Sequence, residues 1–347
     1  MFEIFWDEKF FLPENVTWKD LEPGIRDGVI YRNYNDLLWS IPLAILLIVM
    51  RLCFIKHFCI PLSHILKIKS KKVKMPFENA VLEKMYRKCQ TLPTKMELVS
   101  LMKQIDISTR EIERWWRKRR MHDRPTSIDK FGENCWRFLF HSFNFTFGLS
   151  ILWNSSYIWN YIDLFRDYPR HSLDNGFWWY YNITQAFYIS QTLLHFFETR
   201  RKDFWQMFIH HILSITLIMT SWIFNYILCF LVVNFFHDIA DVFLEGAKTF
   251  KYANYKTLST VFFILFPISW IITRLVIFSK YIYCGIFETS ALFKHFPFFY
   301  IIILMHLLLF ALHILWTFVI IRATSNFLTH KKIGDYRSSS ENDSEDN

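Results

Sequence analysis

Two adjacent histidines, His210 and His211, stand inside the run FIHHILSITLIM, which is otherwise apolar enough to sit in a lipid bilayer. An imidazole in hydrocarbon must find a hydrogen-bond partner or carry a cost of roughly a few kcal/mol, so such a pair signals function. The next apolar run contains FFHDIADVFLEGAK, residues 235–248. There His237, Asp241, Glu245 and Lys248 recur at intervals of four, four and three, along one face of a helix. Asp238 lies one residue, about 100° of rotation, from His237. A carboxylate facing lipid is costly, so this face must look into a helix bundle. The short connection between the two runs makes side-by-side packing the default, and the carboxylates and imidazoles then converge.

Such a cluster suits acyl transfer. An amine arrives protonated and must lose a proton before it attacks a thioester, and an imidazole with a pKa near about 6.5 can take that proton. A carboxylate on the other ring nitrogen would fix the tautomer. Alternatively, one histidine attacks the thioester itself and forms an acyl-imidazole that the amine then opens. Two other readings stand beside these: a metal site, for which His and Asp are ligands, and a structural polar seam between helices. No H-x-x-H-H box is present, and the six cysteines show no C-x-x-C pair or zinc spacing, so no metal is expected.

The elements that must position these groups are membrane helices. The chain has 347 residues, is 52% hydrophobic and 20% aromatic, and carries a formal charge of +9. Runs long enough to cross a bilayer fall near 37–56, 136–154, 177–197, 205–224, 226–245, 258–278 and 299–320, which predicts seven spans in an all-α polytopic membrane protein. The fourth and fifth are nearly continuous, joined by a turn around Asn225. No secretory signal peptide precedes the first run, which reads as an uncleaved signal anchor. Between Arg51 and Asn134 stand 20 Lys and Arg against 9 Asp and Glu, so this block is cytoplasmic and the N-terminal segment, 1–36, lumenal. An odd number of spans then leaves the C-terminus cytosolic. Asn15-Val16-Thr17 is a glycosylation sequon on the lumenal side, whereas Asn154 and Asn182 begin sequons close to span ends. The acidic tail, 327–347, reads as disordered, with Ser338, Ser340 and Ser344 as phosphate acceptors for an acid-directed kinase.

Between the first two spans, residues 75–130 read as a cytosolic module of three helices, the third started by Ser108 or Thr109 with Glu111. It resembles a homeodomain: Trp115 and Trp116 occupy the aromatic pair, and Arg117 to Arg120 the basic run, of its recognition helix. Lys118 stands where the adenine-reading Asn belongs, and no basic arm precedes the module, so DNA binding is not expected and a structural or lipid-facing role is. A membrane-tethered DNA-binding regulator remains the alternative from another class, and a metal-dependent lipid-modifying enzyme a second.

RRKDFWQMFIHHILSITLIMTS, followed after His211 by HDIADVFLEGAK, resembles the longevity-assurance motif of the ceramide synthases, within a TLC domain over 131–326 that holds six of the seven spans. That resemblance implies N-acylation of a sphingoid base by a fatty acyl-CoA in the endoplasmic reticulum membrane, giving ceramide or dihydroceramide, with no cofactor beyond the acyl-CoA co-substrate. It assigns His210, His211, His237, Asp238 and Asp241 to catalysis, and it implies association as dimers. Arg200, Arg201, Lys202, Lys248 and Lys251 fall at the expected cytosolic ends of the spans and can hold coenzyme A phosphates. One departure is the pair Leu228 and Phe230, where many relatives carry Arg and Gly, which predicts an altered substrate preference. The connection between the last two spans, around 279–298, is expected to contribute to acyl-chain selection.

Overall fold

The computed structural model describes residues 7–330 apart from 27, 70–71, 90, 154–157, 167 and 198–202. The predicted sites Arg200, Arg201, Lys202, Ser338, Ser340 and Ser344 lie outside the described residues, as does Asn154. The chain is helical nearly throughout, with one two-stranded antiparallel hairpin, β1 (Gly24–Arg26) and β2 (Val29–Tyr31), before the first long helix.

Helix α1 (Ser40–Phe54) continues through a π-helical turn, Ile55–Cys59, to Ile65. Three short helices follow: α2 (Ala80–Lys88), α3 (Lys95–Ile105) and α4 (Thr109–Asp123). Then come α5 (Ser127–Leu152), α6 (Asn175–His195), α7 (Phe204–Ile223), α8 (Ile227–Tyr252), α9 (Lys256–Trp270) and α10 (Pro297–His330). Among the described residues, five stretches are long and apolar enough to cross a membrane: Tyr34–Ile65, Phe204–Ile223, Ile227–Tyr252, Lys256–Ala291 and Pro297–Thr329. The expected spans at 136–154 and 177–197 fall on α5 and α6, which are less apolar because they carry Asn144, Asn182, Thr184 and Gln185. These four polar side chains are all buried against other helices.

Helix α8 is the central element. Its most apolar window is 61% buried, against 17–33% for the other four stretches, and it packs chiefly on α5 and α9. Gly246 lets α9 and α5 come close, since a Cβ there would collide with the Phe262 ring and touch Phe138. The turn into α8 pivots on Asn225, whose φ of 59° suits Asn better than most residues, and its amide donates to the carbonyls of Pro169 and His171. The N-terminal segment folds back over this end of the bundle. Leu12 is buried in the main core, and Phe11 stacks on Phe224.

The connection between the last two long helices is shorter than the sequence suggests. Beyond Trp270 the helix runs on through a π-helical stretch, Ile271–Ile277, then Phe278–Tyr283 and a second π turn, Cys284–Glu288. Lys280 and Tyr283 lower the local hydropathy, but Tyr281, Ile282 and Cys284 stay buried, so the helical pattern outlasts the apolar run. Cys284, inside the expected connection around 279–298, is therefore a core residue.

Helices α2, α3 and α4 form a small separate cluster around Leu82, Tyr86, Leu98, Leu101, Ile112, Trp115 and Trp116. Each helix has its cap: Asn79 accepts from Val81 N and Leu82 N, while Thr94 with Glu97 and Ser108 with Glu111 form capping boxes.

Candidate functional site

The site is built on α8, with α5 on one side, α9 on the other and α7 facing it across a gap. The two arms of the α7–α8 hairpin touch each other less than α7 touches α6 or α8 touches α5 and α9. The space left between them is a cavity of about 210 Å³ lined by His210, His211, Asp241, Glu245 and Lys248, with Arg137, Lys251 and Trp316 among its other walls. A second, narrower cavity of about 70 Å³ is lined by His210 and His237, then by Phe230, Val233, Ile302, Ile303 and Leu309. Phe165, Tyr226 and Phe299 also line it. His210 and Tyr188 border both spaces, so the two come together at these side chains. Tyr188 stands beside both imidazoles, with ring centroids 6.1 Å from His210 and 6.2 Å from His211. Trp316 closes on His210 from α10 at 5.4 Å.

The acidic residues of α8 point two ways. Asp238 is buried and lines neither cavity; its Oδ1 lies 2.9 Å from His141 Nδ1, and its Oδ2 accepts from Asn144 at 2.7 Å and from Asn234 at 3.1 Å. Asn234 also donates to the Tyr180 hydroxyl at 2.6 Å, and Thr184 donates to Asn144. Asp238 is thus the knot that ties α8 to α5 and α6, while its partner His141 reaches the larger cavity. Asp241 instead accepts from Arg274 Nη2 at 2.7 Å.

His237 donates from Nδ1 to the Val233 carbonyl at 2.6 Å, because a carbonyl can only accept. Its Nε2 therefore carries the lone pair, and that atom has no hydrogen-bond partner among the described residues. The same logic applies to His313, 0% exposed, whose Nε2 accepts from Arg274 Nη1 at 3.2 Å since a guanidinium only donates. The rings of His237 and His313 are 5.0 Å apart. Glu245 and Lys248 pair at 3.0 Å on the wall of the larger cavity.

Of the residues singled out in the sequence, His210, His211, Asp241 and Lys248 share the larger cavity, and His237 joins His210 in the smaller one. Asp238 departs from the expected convergence because its face of α8 is turned to α5. Four neighbours escaped the sequence reading: His141, Asn144, Arg274 and His313. Arg274 had a signal, as a lone charge inside an apolar run. His141, Asn144 and His313 had none, because their partners lie on helices 39 to 97 residues away. His141, Asp238 and Asp241 could together offer three ligand atoms within 4.8 Å. In that group both oxygens of Asp238 already meet protein partners, and Asp241 Oδ2 accepts from Arg274.

The family profile described as TRAM_LAG1_CLN8: TLC domain matches residues 130–322. Over 330 residues, 95% of this chain and 83% of the relative, the sequence is 33% identical to ceramide synthase 4 of Mus musculus. It is 34% identical to ceramide synthase 5 of Homo sapiens over 343 residues, 98% of this chain and 87% of the relative. It is also 28% identical to ceramide synthase hyl-1 of Caenorhabditis elegans over 349 residues, covering 97% of this chain and 84% of that one.

Proposed function

The chain belongs to the ceramide synthases of the TLC-domain family, and from that premise we propose that it transfers a fatty acyl group from coenzyme A to the amine of a sphingoid base at His210. The observation that carries this reading is that His210 borders both cavities. The larger is edged by Arg137, Lys248 and Lys251, a basic surround suited to coenzyme A phosphates. The smaller is walled mainly by apolar side chains, as a hydrocarbon tail needs. A thioester threaded from one into the other places its carbonyl beside His210.

In this mechanism an imidazole nitrogen of His210 attacks the thioester carbonyl carbon. The carbon–sulfur bond breaks and coenzyme A leaves as a thiolate that takes the N–H proton of the acylated imidazole, which the proton later lost by the amine restores by way of a neighbouring imidazole. The sphingoid amine then attacks the acyl-imidazole, the new amide bond forms, and His210 is released. The proton lost by the amine goes to a neighbouring imidazole, and the unpartnered Nε2 of His237 is suited to receive it. Asp241 balances charge beside the pair, and Asp238 positions α8 against α5. We further propose that all seven long helices cross the endoplasmic reticulum membrane, with the N-terminal segment lumenal and α2–α4 cytosolic. Asn144 and Thr184, among the buried polar side chains of α5 and α6, bond to partners within the bundle, which is compatible with that topology.

The test is an N-acylation assay on membranes, with sphinganine and a panel of acyl-CoA lengths. Wild-type protein should form ceramide, and His210→Ala should lose at least about 1,000-fold in kcat/KM, as removal of a nucleophile does. Intact mass after incubation with acyl-CoA alone should show one added acyl group, absent in His210→Ala. Activity that survives the substitution would refute the assignment.

A further inference from the structure

Arg274 is 4% exposed, sits on the π-helical stretch Ile271–Ile277, and lines the larger cavity with His210 and His211. Pro267, four residues before that stretch, cannot donate a helical hydrogen bond, and the wider winding beyond it carries the guanidinium toward α8. The terminal nitrogens are committed. Nη1 meets His313 Nε2 at 3.2 Å, and Nη2 donates to Asp241 at 2.7 Å and to the His237 carbonyl at 3.0 Å. The guanidinium also lies over the Trp270 ring, 5.0 Å from its centroid, so the plane is held on several sides. Three of the five N–H donors are thus engaged, and the Nε nitrogen is buried with no hydrogen-bond partner among the described residues.

A buried N–H without an acceptor carries a cost comparable to a lost hydrogen bond, so this group is poised for an acceptor that arrives. What arrives beside the histidine pair is an acyl carbonyl. When the nucleophile adds to the thioester carbon, the carbonyl electron pair moves onto oxygen, and the oxyanion needs preorganised donors in a water-poor site. We propose that Arg274 is a further catalytic residue, whose unpartnered Nε–H donates to the acyl oxygen as it becomes an oxyanion. Collapse of the tetrahedral adduct returns the electron pair to the carbonyl and expels the coenzyme A thiolate. The fixed positive charge and the locked ring of contacts keep the donor in place without reorganisation. This inference rests on acyl transfer at His210.

The test compares wild type with Arg274→Lys and Arg274→Ala in the N-acylation assay, with palmitoyl-CoA and sphinganine as substrates. Lysine keeps a cation for Asp241 and removes the Nε–H. The lysine variant should keep its thermal unfolding temperature in detergent and its KM for palmitoyl-CoA, yet lose about 100- to 1,000-fold in kcat, as oxyanion donors do. The alanine variant should regain part of its kcat on addition of guanidinium chloride below denaturing concentration, which a purely structural loss would not. A lysine variant that turns over like wild type, or an alanine variant indifferent to guanidinium, would overturn the role of Arg274. Inactive wild-type protein would instead overturn the acyl-transfer reading itself.

Discussion

At the scale of single residues, the site separates groups that can meet substrate from groups that hold them. His210 and His211 line open space, whereas Asp238, only one residue from His237, is spent on His141, Asn144 and Asn234. Phe230 lies on the wall of the smaller cavity with its ring 4.3 Å from that of Tyr181. An aromatic ring in that place takes up room that an acyl tail would otherwise use. Phe230→Ala should therefore shift acyl-CoA preference toward longer or bulkier chains by about tenfold in kcat/KM, the scale expected for a few methylenes in an apolar pocket. The comparison needs only competing acyl-CoA lengths and mass analysis of the ceramides formed. An unchanged product distribution would show that the ring does not bound the tail. Leu228 is buried in the main core and faces neither cavity, so no change in selectivity is expected from it.

At the scale of elements, the three-helix cluster α2–α4 is held together by its own core and an internal ion pair. Trp115 and Trp116 are core residues, and Trp115 Nε1 donates to the Phe77 carbonyl at 2.8 Å. Arg119, within the basic run, pairs with Glu83 at 2.9 Å and with Asp123, leaving Arg117 and Lys118 exposed. The Arg119 guanidinium holds the Glu83 carboxyl below the ordinary carboxylate range. A depressed folded-state pKa means the pair stabilises fully above the unfolded value, about pH 4.3, and that this contribution disappears as pH falls through the folded value. Glu83→Gln should thus lower the cluster's stability by about 1 kcal/mol at pH 7, with the deficit vanishing in acid. Thermal unfolding of the full chain at neutral and acidic pH reads this directly, and a deficit that persists in acid would contradict the ion-pair account. Replacing Arg117 and Lys118 should leave acyl transfer in membranes largely intact.

At the scale of the whole molecule, the N-terminal segment, the α7–α8 turn and the start of α10 gather at one end, while the basic residues edging the larger cavity gather at the other. Among the sequons, Asn15 is exposed on the first of these ends, whereas Asn182 is 0% exposed within α6. Asn15→Gln should remove one glycosidase-sensitive step in mass when the protein is made in cells, and Asn182→Gln should remove none. A glycan-free wild type would argue against a lumenal N-terminus. The sequence by itself determined the helical class, the His210–His211 and His237–Asp241 motifs, the turn at Asn225 and the start of α4 at Ser108, because each rests on local spacing, hydropathy or a cap. Tertiary structure alone decided that Asp238 serves α5, that Arg274 and His313 belong beside the motif, and that the space between α7 and α8 stays open. Those outcomes depend on which faces of distant helices meet. Hydropathy reports only that a segment is apolar, and it ended α9 too early because burial of Tyr281, Ile282 and Cys284 outweighs a lysine beside them.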